Sequence, residues 1–164
     1  MNVAKAHGDE AIIIGLVSDT HGLVRPGVFD ALAGVSRILH AGDVGGRSVL
    51  DELQVIAPVI AVYGNVDPPG PPLEASHLVQ AGGLTIHLSH GHELGSPTPE
   101  KLLDLYAGDI IVYGHTHQAL VHRVGSRLVI NPGAAGPRRF NGVPSVARLT
   151  IARGRAEVEI LEIR

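Results

Sequence analysis

The chain has 164 residues, 45% hydrophobic and 18% charged, a balance that suits one folded domain with a sizeable core and excludes a disordered tail. A formal net charge of −3 without runs of like charge offers no broad surface for nucleic acid and no grip on an anionic membrane, although a small phosphate ligand needs only local positive charge. Cysteine is absent, which excludes disulfides, thiolate nucleophiles and zinc ribbons, confines any metal to nitrogen and oxygen ligands, and fits a cytoplasmic protein.

Residues 1–10 read as a loose tail ahead of a single domain over 11–164. The run from Ala11 to Val17 follows Asp9 and Glu10, has no basic n-region and is far too short to span a bilayer, so it predicts a buried strand over Ile12–Val17. Further strands are expected at Arg37–His40, Val59–Tyr63, Leu84–Ser89 and Asp109–Tyr113, each followed by glycine or polar residues. Between them, Val28–Leu32 after Pro26, Ser48–Ile56 with Val49, Leu50, Leu53 and Ile56 at helical spacing, and Pro99–Tyr106 after Thr98 read as helices. Strands alternating with helices imply a largely parallel sheet. Pro68–Pro72 reads as a rigid extended loop and not a domain linker. From Ala119 the pattern becomes Ala119–Val124, Arg127–Ile130, Ser145–Ile151 and Ala156–Ile163 with tight turns at Gly125-Ser126 and Arg153-Gly154, so an antiparallel strand set is expected to end the chain. Two packed sheets with outer helices follow.

Metal-ligand side chains recur where these apolar runs end: Asp19-Thr20-His21, Gly42-Asp43, Gly64-Asn65, His90-Gly91-His92 and Gly114-His115-Thr116-His117. Carboxyl ends of parallel strands converge on one crevice, and residues two apart on an extended segment share a side. The pairs Asp19/His21 and His115/His117 are thus expected to offer two donors each to one cavity, with Asp43 able to bridge two cations through its two oxygens. Carboxylate, amide oxygen and imidazole together suit Mn²⁺, Fe²⁺, Ni²⁺ or Zn²⁺ better than Ca²⁺ or Mg²⁺. Taken singly, each block reads equally as a turn or a helix cap; five in order, all at strand ends, do not. His7, His77, His87 and His122 read as surface or structural residues, and His40 as a core residue or a support for the ligands.

The ordered set D-T-H, G-D, G-N-x-D, H-G-H and G-H-T-H resembles the five blocks of the calcineurin-like metallophosphoesterase superfamily. The short chain resembles its compact bacterial and archaeal phosphodiesterase branch from residue 12 onward, including Ile130-Asn131-Pro132-Gly133 and Pro137-Arg138. The resemblance implies an α/β fold: a four-layer sandwich of two mixed β-sheets flanked by helices, with a dinuclear metal site at the strand ends. It implies two divalent transition-metal ions, Mn²⁺ foremost, one held by Asp19, His21, Asp43 and His117 and the other by Asp43, Asn65, His90 and His115. The implied activity is hydrolysis of a small or nucleotide-like phosphodiester by a metal-bridging hydroxide, formed where two metals about 3.5–4 Å apart acidify a shared water. Asp67 is expected to orient a ligand or a neighbouring imidazole, and Asn131, Arg138, Arg139 and Arg25 are the candidates to meet substrate; paired arginines also read as a solvated face.

One departure matters. Many members carry histidine after the metal-binding asparagine, where it protonates the leaving group, and this chain has Val66. His92, two residues beyond His90, is the expected substitute, with a metal-bound water or a good leaving group as the other solution. A fold-retaining scaffold, as in the retromer subunit of this architecture, and a phosphomonoesterase are the alternative functions. The sequence leaves the natural substrate and any homo-oligomeric state open.

Overall fold

Three short strands leave their carboxyl ends side by side: β1 (Ile12–Val17), β2 (Arg37–His40) and β3 (Val59–Ala61), paired in parallel. They are seen in a computed structural model that describes residues 10–139 and 142–164, so nearly all of the expected tail, and His7 with it, lies outside the described residues. β1 is buried on both faces, as its unbroken apolar run requires. The second sheet contains β4 (Ser76–Ala81), β5 (Leu84–Ser89), β6 (Ile110–Val112), β7 (Leu120–Val124) and β8 (Arg127–Asn131), in the order β4-β5-β6-β8-β7. The last strands, β9 (Ser145–Ala152) and β10 (Arg155–Glu162), return to the first sheet, whose order is β10-β9-β1-β2-β3.

The helices are α1 (Pro26–Ala31), α2 (Arg47–Gln54) and α3 (Pro99–Leu105). Thr98 caps α3 by accepting a hydrogen bond from the Lys101 N–H at 3.3 Å, and Pro99 occupies the first turn, where its missing N–H costs nothing. Three apolar layers separate the four structural ones. Leu16, Leu39, Ile86, Leu88, Ile130 and Leu149 belong to the layer between the sheets. Val28, Leu32, Val49 and Leu53 pack the first sheet against α1 and α2, while Leu102, Ile111, Tyr113 and Val129 pack the second against α3.

Two expectations need correction. The chain does not end in one antiparallel set: β7 and β8 pair in the second sheet, β9 and β10 in the first. Ser145–Ile151 bears buried side chains on both faces, which suits insertion beside β1 and not a solvent-facing meander. β4 was not expected at all. It presents only Val79 and Ala81 inward and leaves Leu78 exposed, so its apolar alternation is weak; the sequence signal for it was the Gly82-Gly83 turn, whose positive φ angles of 56° and 82° suit a two-residue hairpin.

Candidate metal centre

β1 leads to Asp19 and His21, β2 to Asp43, β3 to Asn65, β5 to His90 and His92, and β6 to His115 and His117. Backbone hydrogen bonds continue beyond the strands and hold these loops in register: Asp19 N–H to Gly42 O, His21 N–H to Asp43 O and Gly114 N–H to His90 O, each at 3.0 Å. The paired ligands converge, but not along extended backbone. Asp19, His21, Asp43, His115 and His117 have φ of 53°, 46°, 54°, 71° and 62°, the left-handed region that non-glycine residues enter at a cost of about 1–3 kcal/mol each. Strain concentrated on this set marks a place where side-chain direction has been favoured over backbone comfort. Two glycines make the approach possible. A Cβ on Gly42 would lie 2.7 Å from His90 Nδ1, and one on Gly114 would overlap Ser18 Oγ and lie 2.6 Å from Asp19 Oδ2.

Asp19, His21, Asp43 and His117 each aim one ligand atom into a cluster no more than 4.8 Å across. Asp19 Oδ1 is 3.2 Å from His117 Nε2 and 3.7 Å from His21 Nε2, which is 3.6 Å from Asp43 Oδ2. Asp19 Oδ1 and His21 Nε2 are buried without a hydrogen-bond partner. Asp19 Oδ2, in contrast, accepts from Ser18 Oγ at 2.5 Å and His115 N–H at 3.1 Å, a support the sequence reading missed because serine beside aspartate carries no signal of its own. Burial pushes the Asp19 carboxyl upward, but His117, His21, His90 and Ser18 together hold it well below the usual carboxylate range.

Beside this cluster, His90 Nε2 lies 3.3 Å from Asp43 Oδ2 and 3.1 Å from Asn65 Oδ1, and His115 Nδ1 lies 3.2 Å from the same amide oxygen. His90 Nδ1 sits 2.8 Å from Ala41 O, a partner that can only accept, so Nδ1 carries the proton and Nε2 is left with a lone pair facing two oxygens. Lone pairs so arranged repel unless a cation or a proton lies among them. Burial pulls the His90 imidazole down, yet Asp43 and Asp19 raise it above its ordinary value, the mark of a group set among negative charge. His115 is shifted the other way, by burial and by His90, and stays available as a neutral ligand. Donor atoms about 3.0–3.5 Å apart fit the edge of a coordination shell with bonds of about 2.0–2.2 Å, so the residues present suit the implied ions.

Among the supporting residues, His40 stands as expected and Asn131 does not. Of the two objects expected for it, a ligand or an imidazole, Asp67 serves the ligands: its carboxylate accepts the N–H groups of Val44 at 3.0 Å, Gly45 at 3.0 Å and Gly64 at 2.8 Å, fixing the loops that carry Asp43 and Asn65. Asn131 is fully buried and does not face substrate. Its Nδ2 donates to Gly114 O and Thr116 Oγ1, both at 3.0 Å, and its Oδ1 accepts from Gly133 N–H at 2.9 Å, so it shapes the histidine loop. His40 is buried; Nδ1 accepts from Gly42 N–H at 3.1 Å and Nε2 donates to Thr20 Oγ1 at 2.9 Å, whose hydroxyl in turn donates to Val44 O at 2.7 Å. Arg138 Nε donates to Gly142 O at 3.1 Å, and Arg25 Nε to Gly136 O at 2.9 Å, so both are spent partly on backbone at the His117 side of the site. His92 stands at the rim with its ring 5.4 Å from that of His90 and 6.5 Å from that of His115. Val66 leaves 54% of its surface exposed, while its N–H donates to Asp43 Oδ1 at 3.0 Å.

Two sheets delivering carboxylates, an amide and imidazoles to one end of a four-layer sandwich define a metal-dependent phosphoric ester hydrolase. The family model of the calcineurin-like phosphoesterase superfamily domain matches residues 12–154, and the chain belongs to that superfamily. It is 34% identical over 159 residues to a probable metallophosphoesterase of Methanothermobacter thermautotrophicus, with 92% of each chain covered. It is 29% identical to a phosphodiesterase of Methanocaldococcus jannaschii, covering 91% of this chain and 99% of that one. Among solved structures, an archaeal phosphodiesterase superposes with a TM-score of 0.71 at 25% identity over 92% of this chain and 100% of that one. Vacuolar protein sorting 29 from Cryptosporidium parvum has the same fold, with a TM-score of 0.77 at 24% identity over 94% and 99%. Among the described residues no helix is long and apolar enough to cross a membrane.

Proposed function

We propose that this chain hydrolyses a small or nucleotide-like phosphodiester using two transition-metal ions, Mn²⁺ foremost, with Asp43 shared between them. Asp19, His21 and His117 complete one set of four donors, and Asn65, His90 and His115 the other. The observation that carries the reading is the buried, partnerless Asp19 Oδ1 and His21 Nε2 beside the His90 Nε2 lone pair, groups whose burial is costly unless a cation accepts them. When bound, the ions supply Lewis acidity: they acidify a shared water as nucleophile and neutralise charge on the phosphoryl oxygens.

The chain's own residues do the rest. Ser18 and the His115 N–H hold Asp19 so that one oxygen stays free, Ala41 O fixes the His90 tautomer, and Asp67 sets the spacing between the Asp43 and Asn65 loops. Val66 cannot give up a proton, so His92, at the rim, protonates the departing oxygen. A site with one acid placed at its edge favours a diester whose leaving group needs little help over a monoester.

Reconstitution with Mn²⁺ should give close to two metals per chain, falling sharply in Asp43→Asn. With metal bound, kcat/KM should be higher for an aryl phosphodiester than for the matching monoester, and a chelator should abolish both. A stoichiometry of zero or one in saturating metal would sink the dinuclear reading. Faster monoester turnover would make the chain a phosphomonoesterase, and no turnover with both metals bound would place it with the non-catalytic scaffolds of this fold.

A further inference from the structure

Two arginines at the His117 side of the site have no part in holding metal, and the fold brings a third beside them. Arg25 precedes α1, Arg138 lies between β8 and β9, and Arg164 follows β10, yet all three line one groove of about 570 Å³, together with Val143 and Ile163. That volume is within the range of about 300–1,000 Å³ common for small-ligand sites. Glu162 also lines the groove, but among the described residues it makes no ion pair with any of the three. Like charges gathered from distant segments of a chain whose net charge is −3 repel one another, and an anion among them removes that cost. Two of the guanidiniums are also fixed in place. Arg25 Nε donates to Gly136 O at 2.9 Å and Arg138 Nε to Gly142 O at 3.1 Å, and among the described residues neither makes another hydrogen bond or ion pair. A guanidinium held through Nε keeps its Nη1–Nη2 fork for a bidentate anion, with part of the side-chain ordering already done. Both anchors lead back to the ligands. Gly136 N–H donates to Asp19 O at 3.2 Å, and Gly136 packs so closely that a Cβ on it would overlap Thr20 O. Arg138 also lines, with His117, a narrow cleft that adjoins the groove.

We propose that this groove is an anion subsite: Arg25 and Arg138, with Arg164 beside them, receive a second phosphate of the substrate on the His117 side of the centre, so the favoured diesters carry a phosphate besides the one that is cleaved. The proposal deepens the phosphodiesterase reading and rests on it for the identity of the ligand. Phosphate fits better than carboxylate because its three terminal oxygens can meet more than one guanidinium at once, whereas a carboxylate is filled by one fork. No step of the reaction passes through the groove. It sets which diester binds and how it lies, so its effect belongs in KM.

Inorganic phosphate is the probe for binding, used on metal-free protein so that no ion at the centre takes it up. The Nε–H signals of Arg25 and Arg138 in ¹⁵N–¹H spectra should move on titration, while that of Arg127, whose Nε is likewise bound to a carbonyl, Gly108 O, should not. Arg25→Met and Arg138→Met should each weaken phosphate binding about 10-fold, and the lysine variants, which keep the charge without the fork, should fall in between. In the Mn²⁺-loaded enzyme, an aryl phosphodiester bearing a terminal phosphate on its other arm should be turned over with kcat/KM about 10-fold above the same diester without it, through KM, and the double variant Arg25→Met/Arg138→Met should erase that preference. Phosphate that leaves both signals unmoved, or that binds the double variant as tightly as the native chain, overturns the inference whatever the activity. Equal kcat/KM for the two diesters, in a chain that binds phosphate in the groove, overturns the assignment to substrate. Phosphate binding as stated, in a protein that turns over no diester, upholds the anion site and instead removes the phosphodiesterase reading.

Discussion

His40 illustrates how a histidine can serve the site as a neutral group. Enclosed by Thr20 Oγ1 and the Gly42 N–H, it is pushed by burial from 6.5 down to about 4, against the pull of Asp19 and Asp67. Its folded value lies below its unfolded one, so the unfolded chain binds the extra proton: stability is full above pH about 6.5, falls as pH drops toward about 4, and levels off there. The loss over that window should be about 3 kcal/mol. Neighbouring groups act elsewhere on the scale. Asp43, held below its usual 3.8, contributes stability that is present above that value and is lost only at lower pH, and His90, raised above 6.5, loses its contribution as pH rises past that value. Urea midpoints of metal-free protein between pH about 7 and 4 should therefore fall steadily in the native chain, and His40→Asn should flatten that slope. An equal slope in the variant would assign the proton uptake to another group. The role of His40 was legible because it precedes a strand-end Gly-Asp. The role of Asn131 was not, nor which of its two objects Asp67 serves, because a carboxylate that binds backbone N–H groups and one that orients an imidazole look alike in one dimension.

At the scale of elements, the strands with apolar runs or clear alternation were readable, whereas the edge strand β4 and the long-range pairing of the hairpins were not. β1, β2 and β5 coincide with their expected bounds: β1 is apolar throughout, β2 places Ile38 and Leu39 side by side, and β5 keeps Leu84, Ile86 and Leu88 in alternation with Thr85 and His87. β4 escaped because an edge strand needs inward side chains on one face only, and the split of β7–β8 from β9–β10 is long-range pairing that local periodicity cannot encode. The ligand positions survived these errors because they depend on where strands end, not on what the strands pair with. The loops after β2 and β3 are joined by the Asp67 carboxylate, which serves Val44, Gly45 and Gly64, and by the Val66 N–H on Asp43 Oδ1. Asp67→Asn replaces one acceptor oxygen by a donor, leaving at least one N–H of these loops without a partner, at about 1–3 kcal/mol each. The first effect should appear in the ions those loops hold. Mn²⁺ affinity should fall about 10–100-fold, while circular dichroism still reports the folded sandwich. Unchanged affinity in the folded variant would show that the loops hold their spacing without Asp67.

For the whole molecule, the two sets of donors have one property in common: each draws on both sheets. Asp19, His21, Asp43 and Asn65 follow strands of the first sheet, whereas His90, His115 and His117 follow strands of the second. Bound ions would therefore fasten the sheets together at this end, across the margin of the apolar layer that contains Leu16, Leu39 and Leu88. Away from the centre, the sheets are tied by contacts that do not involve the site, such as Arg123 Nη2 donating to Ala156 O at 2.8 Å between β7 and β10. Metal binding should consequently act as a staple with a location. At 100 times the dissociation constant each site adds about 2.7 kcal/mol, so two sites should raise the melting temperature on the order of 10 °C, and a chelator should reverse the gain. Asp43→Asn, which weakens both sites at once, should lose most of it, whereas His117→Ala, which touches one, should keep about half. Amide hydrogen exchange should locate the effect: chelation should speed exchange at Asp19, His21 and Gly114, whose N–H groups bond across loops at the site, and leave Asp109 and Leu128, at the opposite ends of β6 and β8, unchanged. Uniform acceleration across both groups of amides would mean that the ions stabilise the fold without fastening the sheets at one end.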